Sequence, residues 1–388
     1  MEKIKVGIIG TGYIGMVHIE ALHRIGNINI IAVSDINKSL ADNAAMKYNI
    51  SKIYYNPDDL INDAEIEVVH NCTPNHLHFE LNKKIIKTGK QLLSEKPLSI
   101  NSVQSAELYN LVKKYNTVTA INFCYRYYPT VQEAAARVRK GDLGKVRAFM
   151  GHFLQDWLFY DTDYSWRLDP AFAGEANVIA DLGSHWCDLI QFVTGQRINE
   201  VMAELHTCIP KRKKPKQGSL SFSSQKDIEY DEVDINLDDY ASLFIRLDSG
   251  ALGNFTTCQV AAGKKVDIEF HIFGSKESYS WSHVRPNELV IGHRDKPNET
   301  FYESSGLQTG GTGKYMTLPT GHPMGYHDAI YNLFTDFYDA VIYRKEGKEY
   351  QIVLPDFKTG HEKMCIIDAA IKSSKSAKWE KVIYLNDN

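Results

Sequence analysis

Residues 5–15 read KVGIIGTGYIG, and the fold turns on how this stretch is read. From Val6 to Ile9 the run carries no polar side chain, as expected of a strand covered on both faces in a parallel sheet. Gly10, Gly12 and Gly15 then stand in G-x-G-x-x-G spacing, with Thr11, Tyr13 and Ile14 between them. In a strand–turn–helix, the first glycine allows the tight turn and the second lets a pyrophosphate approach the backbone. The third lets helix and strand pack closely. Ile14, Val17, Ala21, Leu22 and Ile25 recur at helical spacing, and the N–H groups at the start of such a helix suit phosphate. Asp35 ends the next predicted strand, 25 positions after Gly10. A carboxylate there accepts hydrogen bonds from an adenosine ribose and repels a 2′-phosphate, which favours NAD over NADP.

Outward from this turn, short apolar runs alternate with helical patterns up to about residue 120. EIEVVHNCTP (65–74), QLLSEKPLS (91–99) and TVTAINFCYR (117–126) read as further strands, with helices over 38–48, 78–90 and 101–115. The pattern predicts a doubly wound parallel sheet, a Rossmann dinucleotide-binding domain over 1–123. Beyond it the rhythm changes. KVRAFMGHF (145–153), EVMAELHTCI (200–209), YASLFIRL (240–247), GALGNFTTCQV (250–260) and VDIEFHIFG (266–274) are long, partly alternating runs. They predict an α+β domain over 124–388 with a large, mainly antiparallel open sheet. Helices near 129–140, 181–195, 324–343 and 356–373 are expected to cover one of its faces.

Composition narrows the partners. The 388 residues are 43% hydrophobic and 24% charged, with a net charge of −4. That balance gives no footprint for nucleic acid or an anionic membrane, and no run approaches the ~18 apolar residues of a membrane span. The basic-to-acidic segment 211–234 reads as an exposed hairpin loop. The six cysteines make no C-x-x-C pair, so reduced thiols in a cytoplasmic protein are expected.

Two further stretches carry chemistry. SEKPLS (94–99) puts Glu95 and Lys96 at the carboxyl end of a predicted parallel strand, where open α/β sheets bind ligands. An ammonium group there can stabilise negative charge developing on a substrate oxygen. ADLGSHWCDLI (180–190) sets Asp181, His185 and Asp188 within an arc of about 60° on one helical face. An imidazole titrates near neutrality and can take an alcohol proton, and an acid one turn earlier can orient it. The rival reading is a metal site, on this helix, on His76 with His78, or on His322 with His327. No H-x-x-x-H or H-E-x-x-H pattern occurs, and hydride transfer to NAD needs no metal, so none is expected.

The chain resembles the glucose–fructose oxidoreductase / inositol dehydrogenase / MocA-type dehydrogenases through GIIGTGYIG, CTPNHLH, SEKPLS, NFCYRYYP, YSWRLDP and ADLGSHWCDL. LPTGHPMGYHDAIYNLFTDFYDAV further resembles a segment of the sugar- and inositol-oxidising members. The resemblance implies a Rossmann domain followed by an open-sheet domain that often serves oligomerisation, hence a homodimer or homotetramer. It implies Lys96, Asp181 and His185 as the catalytic group and a cis Lys96–Pro97 bond. It implies cofactor contacts from the glycine-rich turn, Asp35, Thr73, Asn75, His78, Glu95, Lys96, Asn122, Trp166 and Arg167. Arg126, Tyr160, His322 and Tyr326 join Lys96, Asp181 and His185 as the substrate pocket. The expected activity is NAD-dependent oxidation of a ring secondary alcohol of a cyclic polyol, pyranose sugar or glycoside. An NAD-dependent glycosidase with transient oxidation and a nicotinamide-sensing regulator are the alternatives.

Overall fold

The computed structural model describes residues 3–216, 229–349 and 352–385. The chain divides into two units, Met1–Tyr127 with Gly325–Glu362, and Tyr128–Met324 with Lys363–Asn388. This differs from a single break after residue 123, because the chain returns to the first unit near its end.

The first unit holds six strands, β1 (Ile4–Ile9), β2 (Ile28–Ser34), β3 (Lys52–Tyr54), β4 (Val68–Asn71), β5 (Gln91–Ser94) and β6 (Thr119–Ile121). All pair in parallel, in the order β3-β2-β1-β4-β5-β6. That is the Rossmann order, and it reverses between β1 and β4, where such sheets open a ligand crevice. Helices α1 (Tyr13–His23), α2 (Lys38–Tyr48), α3 (Pro57–Asn62), α4 (Asn75–Lys87) and α5 (Ser102–Tyr115) supply the crossovers. Ile9, Val69, Leu92, Ile121, Ile85 and Leu108 meet in one core, and the alternate residues Ile8, Val68, Leu93 and Ala120 are buried too, so both faces of the sheet are dry and the strands read as continuous apolar runs. Asn37 and Asn101 cap α2 and α5, and Asn49 and Asn116 end them in the left-handed region.

The second unit is built on nine strands, β7 (Val146–Leu154), β8 (Ile198–His206), β11 (Tyr240–Leu247), β12 (Leu252–Cys258), β13 (Asp267–Gly274), β14 (Ser278–Ser282), β15 (Glu288–Gly292), β16 (Glu299–Tyr302) and β17 (Glu380–Lys381). A separate hairpin joins β9 (Lys211–Pro215) and β10 (Tyr230–Asp234). The sheet order is β16-β15-β14-β13-β7-β12-β11-β8-β17, and β7 with β12 is its parallel pair. Alternate residues Phe149, Phe153, Leu243, Phe255 and Phe270 are buried. Trp186 stacks on Phe255 at 4.4 Å between ring centroids and lies on α8 (Ser184–Thr194), which follows α6 (Pro129–Lys140) and the short α7 (Pro170–Ala173). A Cβ at Gly151 would sit 2.6 Å from the Trp186 indole nitrogen, so the sheet leaves a gap there for the ring.

Two sequence expectations are corrected here. The helix placed over the second sheet, α9 (Tyr326–Lys345), packs instead in the first unit. Asp328 pairs with Arg24 at 2.7 Å, Phe334 meets the His18 ring at 4.7 Å, and Tyr338 reaches His70 at 2.9 Å. Helix α10 (Phe357–Ser376) runs from one unit into the other. An amphipathic stripe shows that a helix buries a face but does not name its partner.

The basic cluster at 211–216 is not wholly exposed either, although 217–228 lies outside the described residues. Arg212 is fully buried, paired with Asp239 at 3.1 Å. It also donates to the carbonyls of Leu158, Tyr160 and Asp163. Arg212→Ala removes the buried cation beside Asp239, although the backbone N–H groups of Cys208 and Ile209 still donate to that carboxylate, and a loss of about 3 kcal/mol is expected. Chemical denaturation of the two proteins at neutral pH measures it.

Candidate active site

In the first unit the glycine-rich turn has the shape that a dinucleotide needs. Gly10 has φ +89°, and a Cβ there would lie 2.7 Å from the Cys72 carbonyl. A Cβ on Gly15 would lie 2.0 Å from the Gly10 carbonyl, whereas one on Gly12 meets nothing within 4 Å. The tight turn thus falls on Gly10, the open space for phosphates on Gly12 and the close helix–strand approach on Gly15. No side chain caps α1, which leaves its first turn to an anion. Asp35 closes β2, half-buried. It accepts from the Thr11 N–H at 2.8 Å and the Thr11 hydroxyl at 3.1 Å, so it braces the turn. Tyr13 is exposed, Ile14 is partly buried, and Thr73 follows β4, where its hydroxyl donates to Asn71 at 2.7 Å.

Several of the expected cofactor residues are buried. His78 is fully buried, with its ring nitrogens 2.7 Å from the carbonyls of Pro97 and Thr73. It ties the turn after β4 to the turn that carries Lys96. Asn75, also buried, opens the same helix. Glu95 is 6% exposed. Its Oε1 accepts from His18 Nε2 at 3.0 Å and Asn122 Nδ2 at 2.6 Å, and its Oε2 from the backbone N–H of Lys96 at 3.2 Å. Asn122 Oδ1 is buried with no hydrogen-bond partner among the described residues, an acceptor suited to a cofactor hydroxyl or amide. The Lys96–Pro97 bond is cis. Arg126 is buried and Tyr326 half-buried, its ring 6.3 Å from that of Tyr125.

Burial alone raises the Glu95 pKa, but the hydrogen bond and attraction of His18, the Lys96 charge and the Asn122 amide outweigh it and bring the group to about 2. A depressed carboxyl contributes stability that is complete above its unfolded value near 4.5 and is lost as pH falls toward 2. Glu95→Gln is therefore expected to be less stable than the parent at pH 7, with the gap closing between pH 4.5 and about 2. Thermal melts across that range follow it.

In the second unit, Asp181 lies in a π-turn, Ile179–Gly183, that leads into α8. Its i→i+5 bonding breaks the uniform step assumed from the sequence, and such turns collect at functional sites. His185 is buried in the first turn of α8, its ring 6.2 Å from Phe153. Asp188, one turn on, is also buried. Gln259 Nε2 donates to Asp181 Oδ2 at 3.0 Å, and Arg167 Nε lies 3.8 Å from Asp181 Oδ1. The Arg167 guanidinium stacks on Trp166 at 4.4 Å, so Trp166, Arg167 and Asp181 form one group. Tyr160 is 64% exposed. His322 is exposed too, with Nδ1 3.1 Å from the Pro319 carbonyl in its own loop.

Sequence reasoning missed what holds Asp181. Gln259 is fully buried and its Oε1 accepts from Asn177 Nδ2 at 2.7 Å. The Asn177 amide also donates to the Asp238 carbonyl at 3.0 Å, and the Asp238 carboxylate accepts from the backbones of Asn177 and Ile179. Burial pushes Asp238 up to about 6 against these donors. No sequence signal marks Gln259, since it lies 78 residues from its partner.

The family model of an oxidoreductase with an NAD-binding Rossmann fold matches residues 4–123, and that of the GFO/IDH/MocA C-terminal domain matches 131–280. The chain belongs to the GFO/IDH/MocA family. As a member it is an NAD-dependent oxidoreductase. It is 28% identical over 397 residues to a levoglucosan dehydrogenase of Pseudarthrobacter phenanthrenivorans, covering 98% of this chain and 99% of that one. The solved complex of levoglucosan dehydrogenase with NADH and L-sorbose superposes with a TM-score of 0.88 at 27% identity, over 99% of this chain and 100% of the other. A myo-inositol 2-dehydrogenase of Thermotoga maritima is 25% identical over 294 residues, 74% of this chain and 78% of that protein.

Among the described residues, His152, Asp267 and Glu269 have ligand types and spacing suited to a metal. They lie on β7 and β13 and include none of the pairs weighed from the sequence. Lys264 Nζ is 2.5 Å from Asp267 Oδ2, and the two His152 ring nitrogens lie 3.3 Å from Asp267 and 3.2 Å from Glu269. The acids already have cationic or imidazole neighbours. The six cysteines, all within the described residues, form no disulfide. No helix among those residues is long and apolar enough to cross a membrane.

Proposed function

We propose that this family member oxidises a ring secondary alcohol of an anhydrosugar, pyranose or cyclic polyol, with Lys96, Asp181 and His185 as the reacting group. Bound NAD supplies the nicotinamide carbon that accepts the hydride from the carbinol C–H. His185 takes the hydroxyl proton, and Asp181, held by Gln259, sets the imidazole or the hydroxyl in line. Lys96 donates to the oxygen while it carries negative charge on its way to a ketone. Trp166 and Arg167, stacked beside Asp181, together with Arg126, Tyr160, His322 and Tyr326, are the proposed contacts for cofactor and sugar hydroxyls.

The observation that carries this reading is the likeness to levoglucosan dehydrogenase along nearly the whole of both chains. The inositol dehydrogenase relative covers a smaller share, so a pyranose or anhydrosugar ring ranks ahead of an inositol. The test is NADH formation at 340 nm over levoglucosan, free pyranoses, inositols and glycosides, with NAD and NADP in parallel. Steady NADH production with NAD from an anhydrosugar or pyranose is the expected result. Sugar release from a glycoside without net NADH would select the transient-oxidation glycosidase, and NAD binding with no turnover on any compound would select the sensor.

Self-association through the outer face of the nine-stranded sheet is proposed as well, as a dimer or tetramer. Met202, Phe244 and Met150 lie in one cross-strand row through Asn254, and all three are exposed. An apolar row of that kind suits a second copy of the same face. Phe244→Glu is expected to lower the sedimentation coefficient to that of the monomer.

A further inference from the structure

Glu95 poses a question that the reaction chemistry does not answer. A carboxylate this deeply buried is costly unless its neighbours compensate it, and on one side it accepts from the backbone N–H of Lys96. What it touches on its other side is a file of buried polar groups. Tyr338 Oη on α9 lies 2.9 Å from His70 Nε2 on β4. His70 Nδ1 lies 3.0 Å from His18 Nδ1 on α1, and His18 Nε2 lies 3.0 Å from Glu95 Oε1 beyond β5. Both histidines are fully buried and Tyr338 nearly so. Phe334 closes on both imidazoles, with ring centroids at 4.7 and 5.0 Å.

We propose that Tyr338, His70 and His18 are positioning residues for the alcohol oxidation, a buried file of hydrogen bonds that fixes the Glu95 carboxylate and, through it, the backbone of Lys96. The inference rests on the proposed role of Lys96. Its physical basis is directional. An ionised carboxylate only accepts, so His18 Nε2 carries a hydrogen toward Glu95. Two Nδ1 atoms facing each other at 3.0 Å require a hydrogen on one and a lone pair on the other. Burial holds His70 toward its neutral form, so the hydrogen that it places on one nitrogen is withheld from the other, and Tyr338 answers whichever role is left. The state of each member therefore dictates that of the next, and a change at Tyr338 is felt at Glu95. Cys72 Sγ, 3.2 Å from His18 Nδ1, is a weak partner beside this one, and its thiol is held protonated by burial. The carboxylate that ends the file also takes the Asn122 amide and the Lys96 N–H, so it joins the ends of β5 and β6 at the turn bearing the catalytic amine. Displacements of an ångström there are enough to slow catalysis.

The test uses the full-length protein with two variants, Tyr338→Phe, which removes one oxygen, and His70→Leu, which breaks the file at its centre. Two readouts are taken. In protein labelled with ¹⁵N-histidine and free of NAD, the His18 ring resonances, assigned with His18→Gln, are expected to move in Tyr338→Phe although His18 and Tyr338 are not neighbours in the file. In turnover on the best substrate, kcat is expected to fall by about 10- to 100-fold in His70→Leu and less in Tyr338→Phe, with KM for NAD unchanged. His70→Gln, which can both donate and accept, is expected to restore part of the loss. An unmoved His18 signal overturns the file. A moved signal with unchanged kcat overturns its role in positioning, as does a kcat that falls only in step with NAD affinity and melting temperature. A parent protein that makes no NADH from any compound overturns the functional reading and the assignment of the file to that reaction, while the NMR coupling stands as its own result.

Discussion

Lys96→Ala is expected to lower kcat/KM by about 10²–10³-fold, and His185→Ala by about 10²–10⁴-fold, with the Kd for NAD moving by no more than about threefold in either. In the proposed mechanism the two residues act at the substrate oxygen at different moments of one event. The amine is worth most when negative charge is greatest, and the imidazole when the proton leaves. Removing either exposes the same uncatalysed step, so the double variant is expected to lose little more than the worse single one. Steady-state kinetics on the best substrate, with NAD titrations by fluorescence, separates this outcome from misfolding. Full activity in both single variants would remove the mechanism.

The glycine-rich turn gives a contrast of similar size. Gly15→Ala puts a methyl group 2.0 Å from the Gly10 carbonyl oxygen, a clash of backbone against helix that no side-chain rotation relieves. Overpacking of this kind costs about 1–3 kcal/mol or more, and the displaced helix start is the part proposed to meet the pyrophosphate. At 1.4 kcal/mol per decade, NAD affinity is expected to fall by about 5- to 140-fold, together with the melting temperature. Gly12→Ala meets nothing within 4 Å, so its fold is expected to survive while NAD binding drops, because its methyl group enters the space left for phosphate. Calorimetric titration and thermal melts of the two variants distinguish packing from ligand approach. Equal melting temperatures in both would contradict the assignment of the two glycines.

What the sequence discloses is what is local. Val6–Gly15 carries its strand, turn and helix within a dozen residues, and the acid at Asp35 follows at a spacing fixed by one crossover. The motifs around Lys96 and His185 are legible through family resemblance, since each is a short run whose residue types are uncommon together. What stays hidden is non-local. Helix α9 shows an apolar stripe in sequence, yet its partner His70 is 268 positions away. Arg212 sits in a run of lysines that reads as solvated, and only the carbonyls converging from 158–163 show that it is a buried staple. The π-turn at Asp181 leaves no trace in residue spacing, and Gln259 looks like any polar residue in a strand end. His78 and Glu95, expected at the cofactor, also make buried hydrogen bonds within the turns after β4 and β5, and no short motif discloses those.

The most direct test of hydride transfer is the mass of the NADH made from NAD and levoglucosan deuterated at its ring carbons, or from another similarly labelled substrate that turns over. The account predicts a dihydronicotinamide heavier by one deuterium per turnover. NADH without the label, or labelled substrate consumed with no NADH formed, would contradict it.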